Sequence, residues 1–182
     1  MSFHPTTQRL ILRAPTMTDM PAFVAILNDF DVAKSLQKVP HPFTDTLFRE
    51  ALARIDAERR DGTDFAFAVT RAMDGALIGL CAVNRGKMDA WEFGYWYGRP
   101  YWGQGYATEA AWPVVRLAFE DLGAERLTAG WFDDNPASGA VLHKLGFTIS
   151  GMARVHCVAR GAEVLSNRVQ LTRAQFARKK AA

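Results

Sequence analysis

The amino-acid sequence predicts an α/β (α+β) domain in which about four helices flank a mixed, mostly antiparallel, twisted sheet of about seven strands. Three observations lead there. Short strand-like segments recur along the chain, the first of them alternating in polarity; three follow one another across short turns; and the helical periodicities lie before and after that run, not between its members.

The first strand is Arg9-Leu10-Ile11-Leu12-Arg13, where apolar and polar positions alternate. Thr18-Asp19 then suits the cap of a helix reaching about Leu27. A second helix is expected from Thr44 to Arg60. Its apolar residues Leu47, Phe48, Ala51, Leu52 and Ile55 recur at helical spacing, and Asp61-Gly62 ends it. Strands near Phe65–Thr70, Leu77–Val83 and Trp91–Tyr97 follow, with Met73-Asp74-Gly75 and Lys87-Met88-Asp89 as turns, which makes an antiparallel meander. The pattern then changes. A Gly-rich loop opens a long helix to about Leu122, stopped by Gly123, and a strand spans Arg126–Phe132. Pro113 falls inside that helix, where it removes a backbone hydrogen bond and costs about 3 kcal/mol, so a kink or broken turn is expected there. In a fourth helix Asn135 caps the start, Pro136 fits the first position and Gly146 the residue after the end. Phe147–Val158 and Glu163–Leu171 close the chain as a hairpin across Arg160-Gly161.

Composition bounds the rest. With 182 residues, 49% of them hydrophobic and 23% charged, one core suffices without a metal or disulfide. Cys81 and Cys157 sit in apolar or β-branched company, which points to reduced, buried thiols and a reducing compartment. The first seven residues carry no basic segment leading into an apolar one, and no apolar run reaches the ~18 residues of a membrane span, so a cytoplasmic location and no membrane partner are expected. A net charge of +3 is too small a field for DNA, and Arg173, Arg178, Lys179 and Lys180 read as a solvated C-terminal tail. No His/Cys/Asp/Glu spacing suggests a metal site.

The segment from Tyr95 to Ala110 carries the chemistry. A strand runs into Trp102-Gly103-Gln104-Gly105-Tyr106-Ala107, where glycines let the backbone approach a ligand and the first helical amides lack internal partners. A pyrophosphate fits such a place; so does a plain turn with no ligand. A dinucleotide fingerprint would need its third small residue at Thr108 and an early βαβ unit, and a mononucleotide loop would need Gly-Lys-Ser/Thr; neither is present.

This loop resembles the acyl-CoA loop of the GNAT N-acetyltransferases, Gln/Arg-x-x-Gly-x-Gly/Ala, with Trp102 departing at the first position. Asp134-Asn135-Pro136-Ala137-Ser138 through Lys144-Leu145-Gly146-Phe147 is similar to that family's later motif, an Asn followed by a helix closing on Lys-x-Gly-Phe. The element order agrees over essentially the whole chain. Arg9–Arg13, the Glu92-x-Gly94-Tyr95-Trp96 strand and the Trp102 loop look most like the RimJ/RimL branch, which acetylates α-amino groups of ribosomal proteins. The resemblance implies a GNAT-like sheet and a single N-acetyltransferase domain over residues 1–182. It also implies acetyl-CoA as co-substrate and a primary-amine acceptor, either a protein N-terminus or a small molecule, in a monomer or homodimer.

By that resemblance the pantetheine arm enters a V-shaped opening between strands Trp91–Tyr97 and Arg126–Phe132. The implied cofactor residues are Tyr97, Trp102, Gly103, Gln104, Gly105, Tyr106, Ala107, Thr108, Asn135 and Ser138. Glu92 stands where several such enzymes carry a general base, which an amine protonated at neutral pH requires. Many members use a tyrosine seven residues after the motif's Asn to protonate the leaving thiolate. That position is Leu142, and Ser138, where RimL-like enzymes carry a serine, takes its place as the expected acid. Tyr95 or Trp96 is expected at the acceptor pocket, His143 on the helix surface, and Arg99, Lys87 or Lys144 at the 3′-phosphate. The alternatives are a small-molecule amine acetyltransferase and a non-catalytic acyl-CoA-binding module.

Overall fold

The computed structural model of the chain describes residues 4–86 and 90–181; the predicted turn at Lys87-Met88-Asp89, and with it the candidate Lys87, lies outside them. Seven strands form one sheet in the order β1-β2-β3-β4-β5-β7-β6. They are β1 (Leu10–Arg13), β2 (Asp64–Arg71), β3 (Leu77–Arg85), β4 (Trp91–Tyr97), β5 (Arg126–Phe132), β6 (Thr148–Cys157) and β7 (Ala162–Thr172). Every neighbouring pair is antiparallel except β4 and β5. The helices are α1 (Met20–Leu27), α2 (Phe30–Ala33), α3 (Asp45–Arg60), α4 (Tyr106–Arg116), α5 (Pro136–Lys144) and α6 (Arg173–Ala181).

Strand alternation sends side chains to two cores. Leu10, Phe67, Phe93, Leu127 and Val169 pack with α4, α5 and α6, whereas Ala68 and Trp96 join Phe23 and Phe48 from α1 and α3 on the other face. Two helices exceed the predicted four. α2 is a single turn, too short for periodicity to reveal, and Asp29 caps it by accepting the Asp31 N–H at 3.0 Å. α6 corrects the expected solvated tail: Phe176 is buried and stacks on Phe119 with ring centroids 4.6 Å apart, and Lys180 pairs with Glu120 at 2.7 Å. The tail reading weighed the charges and overlooked the one aromatic among them.

α1 starts after Asp19 and ends at Leu27 as expected, though the Asp19 side chain does not cap it: in the 3₁₀ turn that precedes the helix, the buried Asp19 carboxylate accepts the Thr16 N–H at 2.8 Å and holds Arg13 with two bonds. One further expectation is corrected. The helix is continuous across Pro113, and its departure from α geometry comes later, as a π turn over Leu117–Asp121. Cys81 and Cys157 are free and buried.

Where α3 turns into β2, Asp64 is buried with one carboxylate oxygen lacking a hydrogen-bond partner. Burial, and then the charge of Glu58, pushes its carboxyl up to about 6. The folded state therefore binds a proton more tightly than the unfolded chain, and stability falls as pH rises from about 4 to about 6. Asp64→Asn is expected to flatten that fall, gaining on the order of 2 kcal/mol over wild type at pH 7 and little at pH 4. Denaturant unfolding at the two pH values measures it, and equal differences at both would refute the assignment.

Candidate active site

β4 and β5 pair only through Trp91 with Leu127 and Glu92 with Thr128, and beyond those residues they part. β3 holds β4 along its other edge as far as Tyr97, and β7 holds β5 as far as Phe132, so the opening lies inside a sheet that is otherwise paired. A cavity of about 490 Å³ occupies it, lined by Glu92 to Tyr97 of β4, Ala129 to Phe132 of β5 and the facing turns of α4 and α5.

At one end β4 runs into the glycine loop. The amides of Gly103, Gln104 and Gly105 have no hydrogen-bond partner among the described residues, and those of Tyr106 and Ala107 begin α4, where no intrahelical acceptor exists. Gly105 has φ +80°, a left-handed conformation that L side chains rarely adopt. The loop is held from both sides. The indole N–H of Trp102 donates to the Tyr97 carbonyl at 2.7 Å, which uses the side chain that departs from the family pattern to fasten loop to strand. Arg9 donates to Glu109 at 2.7 Å and to the Gln104 carbonyl at 3.1 Å, and its guanidinium lies 4.4 Å from the Tyr106 ring centroid. Glu109 also accepts from Thr7 at 2.6 Å. Free amides, a Gly backbone and the cavity beside them fit a pyrophosphate-bearing co-substrate.

Next to the opening, α5 lies close on β5 because Gly139 faces the Trp131 ring, where a Cβ would come within 2.7 Å of Cε2. Asn135 caps α5 by accepting the Ser138 N–H at 3.3 Å. This brings Ser138 over the cavity, with its Oγ 2.8 Å from the Tyr95 hydroxyl, which also lies 3.0 Å from the Ser138 carbonyl and donates to it. Burial raises the Tyr95 phenol above its ordinary range, so it stays protonated. Tyr95 or Trp96 was expected at the acceptor pocket; both line the cavity, and Tyr95, as an odd residue of β4, points toward α5. Sequence reading missed this pairing, although the alternation Phe93, Tyr95, Tyr97 against Glu92, Gly94, Trp96 carried the signal.

Glu92 and Trp96 belong to the opposite face. Trp96 stands edge-on to Phe23 of α1 at 5.0 Å, and Glu92 lines the cavity with no hydrogen bond or ion pair to any described residue. The segment from Val32 to Gln37 borders the same side. It is tied to the β6–β7 hairpin by Arg160, which donates to the Lys34 carbonyl at 2.6 Å, and by the Val158 N–H, which donates to the Gln37 carbonyl at 3.1 Å.

The remaining candidates separate. Tyr97, Trp102, Gly103, Gly105, Tyr106, Ala107, Thr108, Asn135 and Ser138 all line the cavity, whereas Gln104 does not: its side chain donates to the Pro100 carbonyl at 2.7 Å. The Tyr97 hydroxyl is buried without a partner, so it is the ring that meets the opening. Leu142 is buried at the helix position of the usual tyrosine. His143 is exposed against Trp131. Arg99 is committed to Asp29 and Asp31, while Lys144 borders the cavity. Among the described residues no group of three or more His, Cys, Asp or Glu is placed to hold a metal, and no helix is long and apolar enough to cross a membrane.

Residues 9–148 match the family model described as acetyltransferase (GNAT) domain. YoaA of Bacillus subtilis, described as an uncharacterized N-acetyltransferase, is 30% identical over 172 residues, covering 88% of this chain and 92% of its own length. Two solved structures share the fold. RimJ of Mycobacterium smegmatis, in complex with CoA-disulfide, superposes with a TM-score of 0.79 at 21% identity over 94% of this chain and 88% of its own. RimL, the ribosomal L7/L12 α-N-protein acetyltransferase in complex with coenzyme A, gives 0.80 at 19% identity over 92% and 96%.

Gly105→Val places a branched side chain at φ +80°, with its Cβ 3.5 Å from the Arg9 guanidinium. Loss of one or two amide contacts to phosphate, each worth about 1.5–3 kcal/mol, is expected to raise the CoA dissociation constant by about tenfold or more while circular dichroism stays unchanged. Calorimetric titration measures it, and wild-type affinity in the variant would remove the loop from the binding site.

Proposed function

This chain belongs to the GNAT family of N-acetyltransferases, and on that premise we propose that it moves the acetyl group of acetyl-CoA directly onto a primary amine within a ternary complex, as one domain over residues 1–182. The observation that carries the proposal is the split between β4 and β5, flanked by unpartnered loop amides at one end and by hydroxyl and carboxylate side chains on its two faces. The comparison with RimL supports a protein α-amine as acceptor.

In the proposed reaction the loop amides from Gly103 to Ala107 hold the pyrophosphate and orient the thioester in the split. The amine approaches from the face of Glu92, which takes its proton directly or through water, so that a neutral nitrogen forms the new bond to the acetyl carbon. As the carbon–sulfur bond breaks, the Ser138 hydroxyl protonates the thiolate, and the proton that the newly acylated nitrogen sheds returns through water to the serine oxygen. Tyr95 is a positioning residue: its own proton goes to the Ser138 carbonyl, and its oxygen accepts from the Ser138 hydroxyl and so fixes that hydroxyl beside the opening until the serine proton passes to sulfur. Its hydroxyl thereby stands in for the tyrosine that Leu142 replaces.

Ser138→Ala is expected to lower turnover by roughly 10² to 10³ with acetyl-CoA affinity little changed. Tyr95→Phe should lower kcat by a smaller factor at unchanged KM, and the double variant should be no slower than Ser138→Ala, because the phenol acts through the serine. Additive losses in this cycle would show that Tyr95 acts elsewhere, and a loss in Ser138→Ala that tracks cofactor affinity would return that residue to a purely structural role.

Glu92→Gln should reduce the rate most at low pH, where the acceptor amine is protonated, with the defect shrinking as pH nears the amine's own pKa. An unaltered pH–rate profile would make Glu92 a bystander.

A further inference from the structure

The face of the cavity that holds Glu92 also holds a cation that no described residue pairs with. Arg168 lies on β7 opposite Gly130 of β5, and its Nη1 stands 3.5 Å from where a Cβ of Gly130 would be. The guanidinium is thus laid across β5 over Gly130, on the same side of the sheet as Thr128, whose β4 neighbour is Glu92. It lines the cavity.

Half-buried arginines elsewhere in the chain are all engaged. Arg13 pairs with Asp19, Arg71 with Asp74, Arg160 with Asp134 and Arg173 with Glu125, while Arg59 donates to the Ala66 carbonyl. Arg168 is half-buried as well, yet it makes no hydrogen bond or ion pair to any described residue. A guanidinium withdrawn from water without an anion is unfavourable, and its fork of donors matches a carboxylate. Two glycines keep the approach clear. Gly94 has nothing within 4 Å on the side where its Cβ would be, and a side chain at Gly130 would meet the Asn167 carbonyl at 2.9 Å and crowd Arg168.

Resting on the acetyltransferase reading, we propose that Arg168 binds a carboxylate carried by the acceptor, so that the preferred substrate is a primary amine with an anionic group several bonds from the nitrogen. Strands about 4.8 Å apart and residues about 3.3 Å apart put the Cα atoms of Glu92 and Gly130 roughly 8 Å from each other, and the split widens this. An amine at Glu92 and an anion at Arg168 are then farther apart than the two ends of one α-amino acid backbone. A carboxylate side chain near the amine, in a peptide or a free dicarboxylic amino acid, has the reach.

The test compares matched acceptors with saturating acetyl-CoA: short peptides with Glu or Gln at the first or second position, and free glutamate or glutamine. Wild type is expected to favour the acidic member of a pair by about tenfold or more in kcat/KM, the size of one charge-assisted contact. Arg168→Gln should erase that preference by slowing the acidic acceptors alone, and Arg168→Lys should restore part of it. Whether peptides or free amino acids show the effect identifies the source of the carboxylate. Equal treatment of acidic and neutral amines by wild type, or a uniform loss across both in Arg168→Gln, would overturn the proposal. So would a drop in acetyl-CoA affinity with acceptor preference intact, since Arg168 would then be a cofactor contact. Thermal stabilisation by acetyl-CoA in wild type is read alongside; its absence would count against the acetyltransferase reading, not against Arg168.

Discussion

Two backbone ladders meeting for only two residues set the conditions for everything else in this protein. Because β4 and β5 are parallel and part after Glu92 and Thr128, each strand keeps one satisfied edge and turns the other toward an opening. Unpaired backbone donors and acceptors inside a sheet are costly unless something polar meets them. An extended, amide-bearing arm can meet them as a strand would, which is why this split suits pantetheine in the proposed reading. The hinge of the split lies at Trp91–Glu92, and its mouth at Tyr97, where the glycine loop begins. In that reading arm and phosphates are received by one continuous piece of backbone.

Strand period then divides the chemistry. Odd residues of β4 face α5, where Tyr95 meets Ser138; even residues face α1 and α3, where Glu92 and Trp96 stand. A ligand threaded between the strands has one face of the sheet on either side of its reactive carbon. In the proposed mechanism the proton donor for sulfur and the proton acceptor for nitrogen thus lie on opposite sides of the thioester, where an attacking and a leaving group belong. They do not quench one another, because the sheet itself separates them.

Much of the fold was legible because it rests on short-range signals. Alternation marked β1, turn residues bounded the strands that follow it, and Asn135-Pro136 and Gly146 bracketed α5. What escaped was decided by contacts distant in sequence. α2 is one turn, α6 is fixed by Phe176 on Phe119, and the change of helix geometry came after Pro113. In the candidate site the loop and Ser138 followed from a motif, and motifs record local backbone. The Tyr95 hydroxyl and the Arg168 guanidinium did not follow. Each is placed across the sheet by pairing register, 43 residues from Ser138 in the first case and by the Gly130 register in the second.

In the proposed reading, the leucine at position 142 leaves the proton donor for sulfur to be supplied from elsewhere. A tyrosine there would send its hydroxyl toward sulfur from the middle of α5. In this chain that position is 1% exposed and packs into the core, yet a phenol still arrives at the same helix, from the strand side. Ser138 sits one helical turn nearer the Asn135 cap, and its short side chain depends on a neighbour to orient it. In the proposed mechanism Tyr95, its hydroxyl bonded to the Ser138 carbonyl and 2.8 Å from Ser138 Oγ, supplies that orientation. On that reading, a single long donor from the helix and a short donor braced by a strand are two ways to put one proton at one place, because each reaches the same opening from α5.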